Sequence, residues 1–420
     1  MINSGDTAWV LASAALVLFM TPGLAIFYGG MVRAKSALNM MMMSFSAIGV
    51  TTVIWVLYGY SLAFGKSHGG LIGNLEHVGL AKTLDQVTGP AGHQIPTLAF
   101  AMFQLTFAII TVALLSGAIA DRAKFSSWII FVAVWITLVY LPIAHWAFAS
   151  QGGNGGWLVD HIGALDFAGG TVVEINSGAA ALALAIVLGK REGFKTESMR
   201  PHNMPLVLLG AGMLWFGWFG FNAGSALSAG SLAATAMINT QIATAAAAMS
   251  WVLLERFRDG KPTTLGIASG AVAGAVAITP ACGFVNPLGA LIIGLIAGAL
   301  SAVAVSRKYK WGYDDSLDVV GVHGVGGFLG MLAIGFLATT SANSAGGNGI
   351  LMHGGNALLG HQVIAILVTI AFSFSATWLI ATIISKTIGF RANREDELTG
   401  LDTTYHAESA YDISGNANRY

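Results

Sequence analysis

Residues 95–120 read IPTLAFAMFQLTFAIITVALLSGAIA and contain no charged side chain. A helix needs about 20 consecutive apolar residues to cross the hydrocarbon core of a bilayer, which is about 30 Å thick. The stretch exceeds that length, so we predict that residues 95–120 form a membrane-spanning helix.

Ten further stretches resemble it in length and apolar character, so the sequence predicts eleven spans. Their approximate limits are 7–32, 38–64, 95–120, 125–149, 169–189, 203–226, 231–254, 263–280, 285–306, 317–338 and 358–385. Gly, Pro, Asn and charged residues mark the segments between them, as is typical of loops. The prediction is an all-α integral membrane protein, with a transmembrane domain at 1–385 and a tail at 386–420.

The composition agrees with this class and argues against others. Hydrophobic residues make up 55% of the chain and charged residues only 10%, whereas soluble domains contain about 25% charged residues. The formal net charge is zero, so there is no basic excess for binding nucleic acid. The single cysteine, Cys282, excludes an intrachain disulfide and a cysteine-rich metal site. We expect no metal centre and no cofactor.

The basic residues predict how the spans are oriented. All but two of the 20 Lys and Arg residues fall in the tail or in loops on one side of the predicted membrane, and the exceptions are Lys66 and Lys82. Positively charged residues stay in the cytoplasm during insertion. We therefore predict N-out, C-in topology in the plasma (inner) membrane, with a cytoplasmic tail.

Two pairs of spans are similar in sequence. Span 1 ends in FYGGMV and span 6 in FNAGSA, while span 5 contains GGTVVEINSG and span 10 contains GVHGVGGFLG. The partners lie five spans apart, which predicts two inverted five-helix repeats, a common transporter plan. The repeats would cover about 7–189 and 203–338, with a final helix at 358–385. Chance similarity in a glycine-rich sequence is the alternative.

Five titratable residues within the predicted spans need an explanation: His145, Glu174, Asp318, His323 and His361. A charge at the bilayer centre costs about 2.5–3.5 kcal/mol on insertion scales, so such residues usually face a cavity or a partner. Asp318 and His361 lie near span ends, and we expect His145 in an outer vestibule or at a helix cap. Glu174 and His323 lie among Gly, Val and Ile at corresponding places in the repeats. A carboxylate and an imidazole can share a proton, but the residues alone leave open whether these two meet.

Aromatic residues are a second sign of function. Phe103, Phe107, Phe148 and Phe221 lie toward the outer or middle parts of their spans. Ring faces attract cations within about 6 Å, and the nearby hydroxyl of Ser225 can accept an N–H bond. These groups suit a small cation, whereas helix packing or an interfacial belt is the alternative interpretation.

Several long motifs resemble one family and cover the chain almost from end to end. They are PGLAIFYGGMVR (22–33), MFQLTFAIITVAL (102–114), ALDFAGGTVVEINSGAAAL (164–182), GWFGFNAGSA (217–226), DVVGVHGVGG (318–327) and GLD…HAESAY (400–411). In these motifs and their order the sequence resembles the ammonium transporters of the Amt/Mep/Rh group, and within them the bacterial AmtB-like branch. The resemblance implies ammonium or ammonia as substrate.

The resemblance also implies an outer recruitment site and a gate. Phe107, Phe148 and Ser225 match the recruitment site, and Phe107 with Phe221 matches the two stacked rings at the pore mouth. The family places a tryptophan at the recruitment site. Phe148 is the positional match and Trp146 is the nearest tryptophan, so either residue is a candidate for that role.

Deeper residues are implied in the same way. His323 matches the second histidine of a pore pair, whereas Glu174 replaces the first, as an acidic residue does in some fungal permeases of the family. The pair is therefore a predicted proton relay. Asp166 resembles an aspartate that shapes the recruitment site, and Phe103 is a second supporting residue.

Members of the family are homotrimers with one pore per subunit, and PII (GlnK-type) proteins bind the cytoplasmic face of many. Two alternatives stay open at this point: an Rh-like electroneutral ammonia or gas channel, and an ammonium sensor or transceptor acting through PII-type partners. An enzyme is not expected, because no nucleophile–base pair is recognisable beside Glu174 and His323.

Overall fold

Apolar helices run through the computed structural model, which describes residues 1–411. Ten are long and apolar enough to cross a membrane, and one shorter helix completes the eleven predicted spans within the described residues. They are α1 (Ser4–Met31), α2 (Ala34–Phe64), α3 (Thr97–Ile119), α4 (Phe125–Phe148), α5 (Gly170–Leu188), α6 (Met204–Gly224), α7 (Ser231–Arg258), α8 (Thr264–Ile278), α9 (Pro287–Trp311), α10 (Val320–Leu337) and α11 (Ala357–Thr387). A short helix in the tail, α12, covers Arg394–Thr399.

The prediction of eleven spans is confirmed, and the differences in their limits have physical causes. Helices α7 and α9 run past the predicted ends at 254 and 306, because charged residues end an apolar run without ending the helix. Helix α8 stops at Ile278, before Pro280, which has no N–H to continue the ladder. Most residues of α8 are buried within the protein. It therefore does not need the length of a lipid-exposed span.

The two ends of the molecule differ in structure. One, which we call the N-terminal face, carries Met1, whose amino group donates to the side chain of Gln94. The loop after α2 forms two short antiparallel hairpins there, β1 (Ser67–His68) with β2 (Ile72–Gly73), and β3 (Val87–Thr88) with β4 (Ile95–Pro96). Short helical turns elsewhere in the loops and tail cover Val78–Leu80, Trp157–Ile162, Ile350–Met352 and Asp402–His406.

The opposite end, the C-terminal face, is covered in part by the tail. The Asp402 carboxylate accepts bonds from the backbone N–H groups of Leu38 (3.0 Å) and Asn39 (2.7 Å), at the start of α2. Residues 34–36 of α2 form a 3₁₀ turn, and the regular α-helix begins at Ala37. Asp402 therefore caps this α-helical start, which receives no side-chain cap from Ser36. His406 bonds to the Asn39 side chain over 3.0 Å, so the GLD…HAESAY motif is docked on this face.

Buried ion pairs hold the loops of the C-terminal face together. Arg191 lies 3.2 Å from Asp121 and 2.8 Å from Asp314, and all three side chains are almost completely buried. Burial opposes ionisation of Asp314, but the hydrogen bonds and charge of Arg191 hold the pKa of that carboxyl below its usual value. The loops after α3, α5 and α9 are thereby joined beneath the spans.

Two helix crossings bring backbones into close contact. A methyl group added at Gly178 in α5 would lie 2.1 Å from the Cα of Gly324 in α10. One added at Gly210 in α6 would lie 2.4 Å from the backbone nitrogen of Phe27 in α1. Only glycine permits such approach. The crossings join α5 to α10 and α1 to α6, the pairs that the two predicted repeats would relate.

Replacing Gly178 with alanine should therefore force α5 and α10 apart. We expect the variant to lose about 1–3 kcal/mol of unfolding free energy, as overpacked sites do. The matched control is Gly212→Ala in α6, where an added methyl meets nothing within 4 Å. Thermal unfolding of both variants in detergent measures the difference, and equal melting temperatures would show that the crossing is not tight.

Candidate functional site

A buried pair of polar side chains lies where α5 and α10 cross. His323 Nδ1 and Glu174 Oε2 are 2.7 Å apart, and the side chains are 5% and 1% exposed. Two protonation arrangements satisfy this bond: a carboxylate accepting from an imidazole N–H, or a neutral carboxyl donating to the ring nitrogen. The residues alone left open whether Glu174 and His323 meet, and the structure places them in contact.

The backbone around the pair is unusual in both helices. Residues Gly170–Ile175 and Val320–Gly324 each form a π-helical turn at the start of a span. Such turns contain an extra residue and are frequent at functional sites. Gly327 lies one turn beyond His323, and a methyl group there would be 2.6 Å from the Cβ of Glu174. The glycine leaves room for the glutamate side chain between the helices.

Two small cavities meet at His323, and the first of them also borders Glu174. The first is lined by Glu174, His323 and apolar residues that include Leu114, Leu214 and Trp218. The second is lined by His323 and by residues nearer the C-terminal face, including Leu317 and Asp318. Each has a volume of about 10 Å³, close to the least that holds one water molecule. His323 borders both cavities, so it stands between them.

Two stacked phenylalanine rings close the first cavity toward the N-terminal face. The rings of Phe107 and Phe221 have centroids 4.2 Å apart and planes 18° apart, and both side chains are buried. Phe103 packs edge-on against Phe107 at 4.9 Å. With centroids 4.2 Å apart, the Phe107 and Phe221 rings are in van der Waals contact. We call Phe107 and Phe221 the ring gate.

Phe148 and Ser225 lie beside the ring gate and are only half buried. The Phe148 ring is perpendicular to that of Phe107, with centroids 6.3 Å apart. The Ser225 hydroxyl donates to the Phe221 carbonyl over 2.8 Å, which leaves its oxygen free to accept a bond. Ring faces and a hydroxyl acceptor are therefore available next to the gate.

Asp166 holds the start of α5. One carboxylate oxygen accepts from the N–H groups of Gly169 and Gly170, each at 2.7 Å. The other accepts from the N–H of Thr171 at 2.8 Å and from its hydroxyl at 2.5 Å. An acidic cap at a helix start satisfies N–H groups that would otherwise lack partners. Asp166 thus fixes the turn that leads to Glu174.

Trp146 lies apart from this group, although the sequence made it a candidate beside Phe148. Its indole N–H donates to the Leu71 carbonyl over 2.8 Å, and its ring packs against Trp157 and Phe372. Of the two candidates, Phe148 is therefore the one whose ring contacts Phe107.

Three further titratable residues take positions of their own. His145 was expected in an outer vestibule or at a cap, but it is buried, with ring nitrogens 2.8 Å from the Ala63 carbonyl and from the Ser67 hydroxyl. The carboxylate of Asp318, which lies two residues before α10, accepts a 2.5 Å bond from the Lys308 ammonium group. His361 is half buried in the first turn of α11, where a span end was predicted.

Sequence reasoning missed several cavity-lining residues. Trp218, Phe27 and Val272 border the first cavity, and the latter two also border the second. One signal was present for Trp218. It precedes Phe221 by three residues and Ser225 by seven, a spacing that places all three on one face of α6. Among residues 1–411, no group of three or more His, Cys, Asp or Glu side chains is arranged to hold a metal ion.

Comparison with known protein sequences gives matches over nearly the whole chain. The sequence profile described as Ammonium Transporter Family matches residues 8–411. An ammonium transporter of Mycobacterium tuberculosis is 53% identical, and the alignment covers 98% of this chain and 91% of that protein. One from Bacillus subtilis is 49% identical over 98% of this chain and 100% of that protein.

Comparison with solved structures gives the same fold. The crystal structure of Candida albicans Mep2 superposes with a TM-score of 0.85 at 33% identity, covering 94% of this chain and 88% of Mep2. A structure described as a sensor Amt protein superposes with a TM-score of 0.87 at 29% identity, covering 95% and 98% of the two chains.

Proposed function

The chain belongs to the ammonium transporter family, and from that membership we propose how it carries ammonium across the membrane. The observation that carries the proposal is the Glu174–His323 pair near the ring gate, in which His323 borders two small cavities and Glu174 borders the first. The transport of ammonium follows from the family.

Ammonium is captured at Phe107, Phe148 and Ser225. Its positive charge is attracted to the ring faces, and its N–H groups donate to the Ser225 hydroxyl. The role that a tryptophan has in the family falls to Phe148, because the indole of Trp146 is committed to Leu71. Asp166 and Phe103 support the site by holding the start of α5 and by packing against Phe107.

Loss of a proton separates ammonium from potassium. The two ions are similar in size, but only ammonium can donate N–H bonds and then leave as a neutral molecule. Cavities of about 10 Å³ lined mainly by apolar side chains have no room for a hydrated ion. Neutral ammonia crosses them one molecule at a time once the ring gate opens.

The proton travels separately through the pair. Glu174 and His323 are joined by a 2.7 Å contact, and His323 borders the cavity on either side of it. A carboxylate and an imidazole exchange protons near neutral pH. One positive charge then crosses for each ammonia, so net transport is electrogenic.

Glu174→Gln and His323→Ala should each lower the ammonium-evoked current of proteoliposomes by at least about tenfold, because either change breaks the relay. Glu174→His, which restores a pair of titratable groups, should retain current. The control is uptake of labelled ammonium by the same vesicles. Unchanged currents in both Glu174→Gln and His323→Ala contradict the relay, and uptake without current in the wild type identifies an electroneutral channel instead.

We propose that the N-terminal face is extracellular and that the tail lies in the cytoplasm, in the plasma (inner) membrane. The support is the distribution of Lys and Arg: among residues 1–411, only Lys66 and Lys82 lie in loops of the N-terminal face. The transmembrane domain is then residues 1–385 and the cytoplasmic tail 386–420.

Cysteine labelling of intact cells tests this orientation. Lys82 and Lys261 are exposed in loops on opposite faces, and the native Cys282 is buried. A membrane-impermeant maleimide should label Lys82→Cys and leave Lys261→Cys unlabelled until the cells are opened. Labelling of Lys261→Cys in intact cells reverses the proposed orientation.

We further propose that the protein is a homotrimer and that a PII-type protein binds its C-terminal face. The docked tail supports the second point, because Asp402 and His406 hold it in a defined position against the C-terminal face. Native mass measurement should give three times the 43.5 kDa chain mass. Pull-down with a PII protein, with and without nucleotide, should retain it on the wild type and lose it when residues after 386 are removed.

A further inference from the structure

Helix α11 carries a stripe of buried polar side chains. Gln362, Thr369, Ser373 and Thr377 are all fully buried, and their spacing of seven, four and four residues places them on one helix face. The opposite face exposes large apolar residues such as Leu367 and is suited to lipid. Polar groups buried in a membrane helix usually bond across to a neighbouring helix. The hydrogen-bond partners of this stripe therefore indicate which segments α11 holds in place.

Gln362 bonds to both backbone groups of Leu165, the N–H and the carbonyl. Its Oε1 accepts from the Leu165 N–H over 2.8 Å, and its Nε2 donates to the Leu165 carbonyl over 2.7 Å. Leu165 directly precedes Asp166, which caps the start of α5 beside the ring gate. Through this two-point contact α11 fixes the position from which Asp166 reaches α5.

Ser373 binds the other end of the π-helical turn in α5. Its hydroxyl lies 2.8 Å from the Asn176 carbonyl and 2.7 Å from the Asn176 side-chain oxygen. The Asn176 amide donates in turn to the Val172 carbonyl over 3.1 Å. Residues 172 and 176 enclose Glu174, so Ser373 fixes the turn that aims the glutamate at His323.

We propose that Gln362 and Ser373 are positioning residues for transport, Gln362 for capture at the mouth and Ser373 for the Glu174–His323 pair. Neither side chain lines a cavity, so each acts through α5. Helix α11 lies outside the two predicted repeats, and its task is to brace α5 at two points. The proposal rests on the route of ammonium given above.

The test measures the rate of ammonium uptake by proteoliposomes at a series of ammonium concentrations. The two variants should change different parameters, one the half-saturating concentration and the other the maximal rate. Gln362→Met keeps the volume but loses the two bonds to Leu165 and the longer one, 3.4 Å, to the Met331 carbonyl. It should raise the half-saturating concentration about five- to tenfold while the maximal rate changes less than about twofold. Ser373→Ala should lower the maximal rate about three- to tenfold and displace its pH profile, with little change in half-saturation.

Two residues of the same stripe provide matched controls. The Thr369 hydroxyl is buried without a hydrogen-bond partner, and Thr369→Val should change neither parameter. Thr377 accepts the Trp135 indole N–H over 2.8 Å, away from α5, so Thr377→Val should lower the melting temperature without separating the two parameters. The proposal is overturned if Gln362→Met and Ser373→Ala behave like either control.

Hydrogen exchange keeps the test independent of transport. Gln362→Met should accelerate exchange of the Leu165 and Gly169–Thr171 amides, and Thr377→Val should not. Two substitutes replace any variant that fails to fold. In Gln362→Asn the side chain is too short to repeat the bonds, and in Ser373→Cys the thiol is too weak a donor. If the wild type takes up no ammonium, the proposed route of ammonium is wrong. The positioning role is overturned as well if amide exchange in Gln362→Met is then as slow as in the wild type.

Discussion

The hydrogen bond between Glu174 and His323 can form only because α5 and α10 touch backbone to backbone. A lone carboxylate at this depth would be expensive, and a partner must therefore lie within bonding distance. Gly178 and Gly324 permit the approach, Gly327 leaves room for the glutamate, and π-helical turns aim both side chains inward. The cavities and the ring gate are arranged around this contact.

Carboxylates also accept hydrogen bonds from the N–H groups at helix starts, which have no partner within the helix. Asp166 caps α5 from within its own loop, whereas Asp402 caps α2 from the tail. Asp402 is buried and Asp166 is half buried, and the turn that Asp166 caps leads to Glu174. Helix capping, which elsewhere contributes about 1 kcal/mol, here also decides where neighbouring side chains point.

Much of this arrangement could be predicted from the sequence, since apolar length determines the spans and polar residues within them are rare. The resemblance to the ammonium transporters implied the pairing of Glu174 with His323 and the stacking of Phe107 on Phe221, and both contacts form in the structure. Trp146 and Phe148 could not be separated in that way. Two residues apart on a helix, they point about 200° apart, and only the packing of α4 decides which one faces the gate. The burial of His145 depended on a hairpin formed by residues far earlier in the chain.

The cap on α2 also depends on the order in which the chain is synthesised. Leu38 and Asn39 are separated from Asp402 by more than 360 residues, and a ribosome makes the chain from its N-terminus. Helix α2 therefore enters the membrane long before its cap has been synthesised. A chain that stops before Asp402 would leave the start of this helix without its carboxylate cap, so the first N–H groups of the helix would lack these partners.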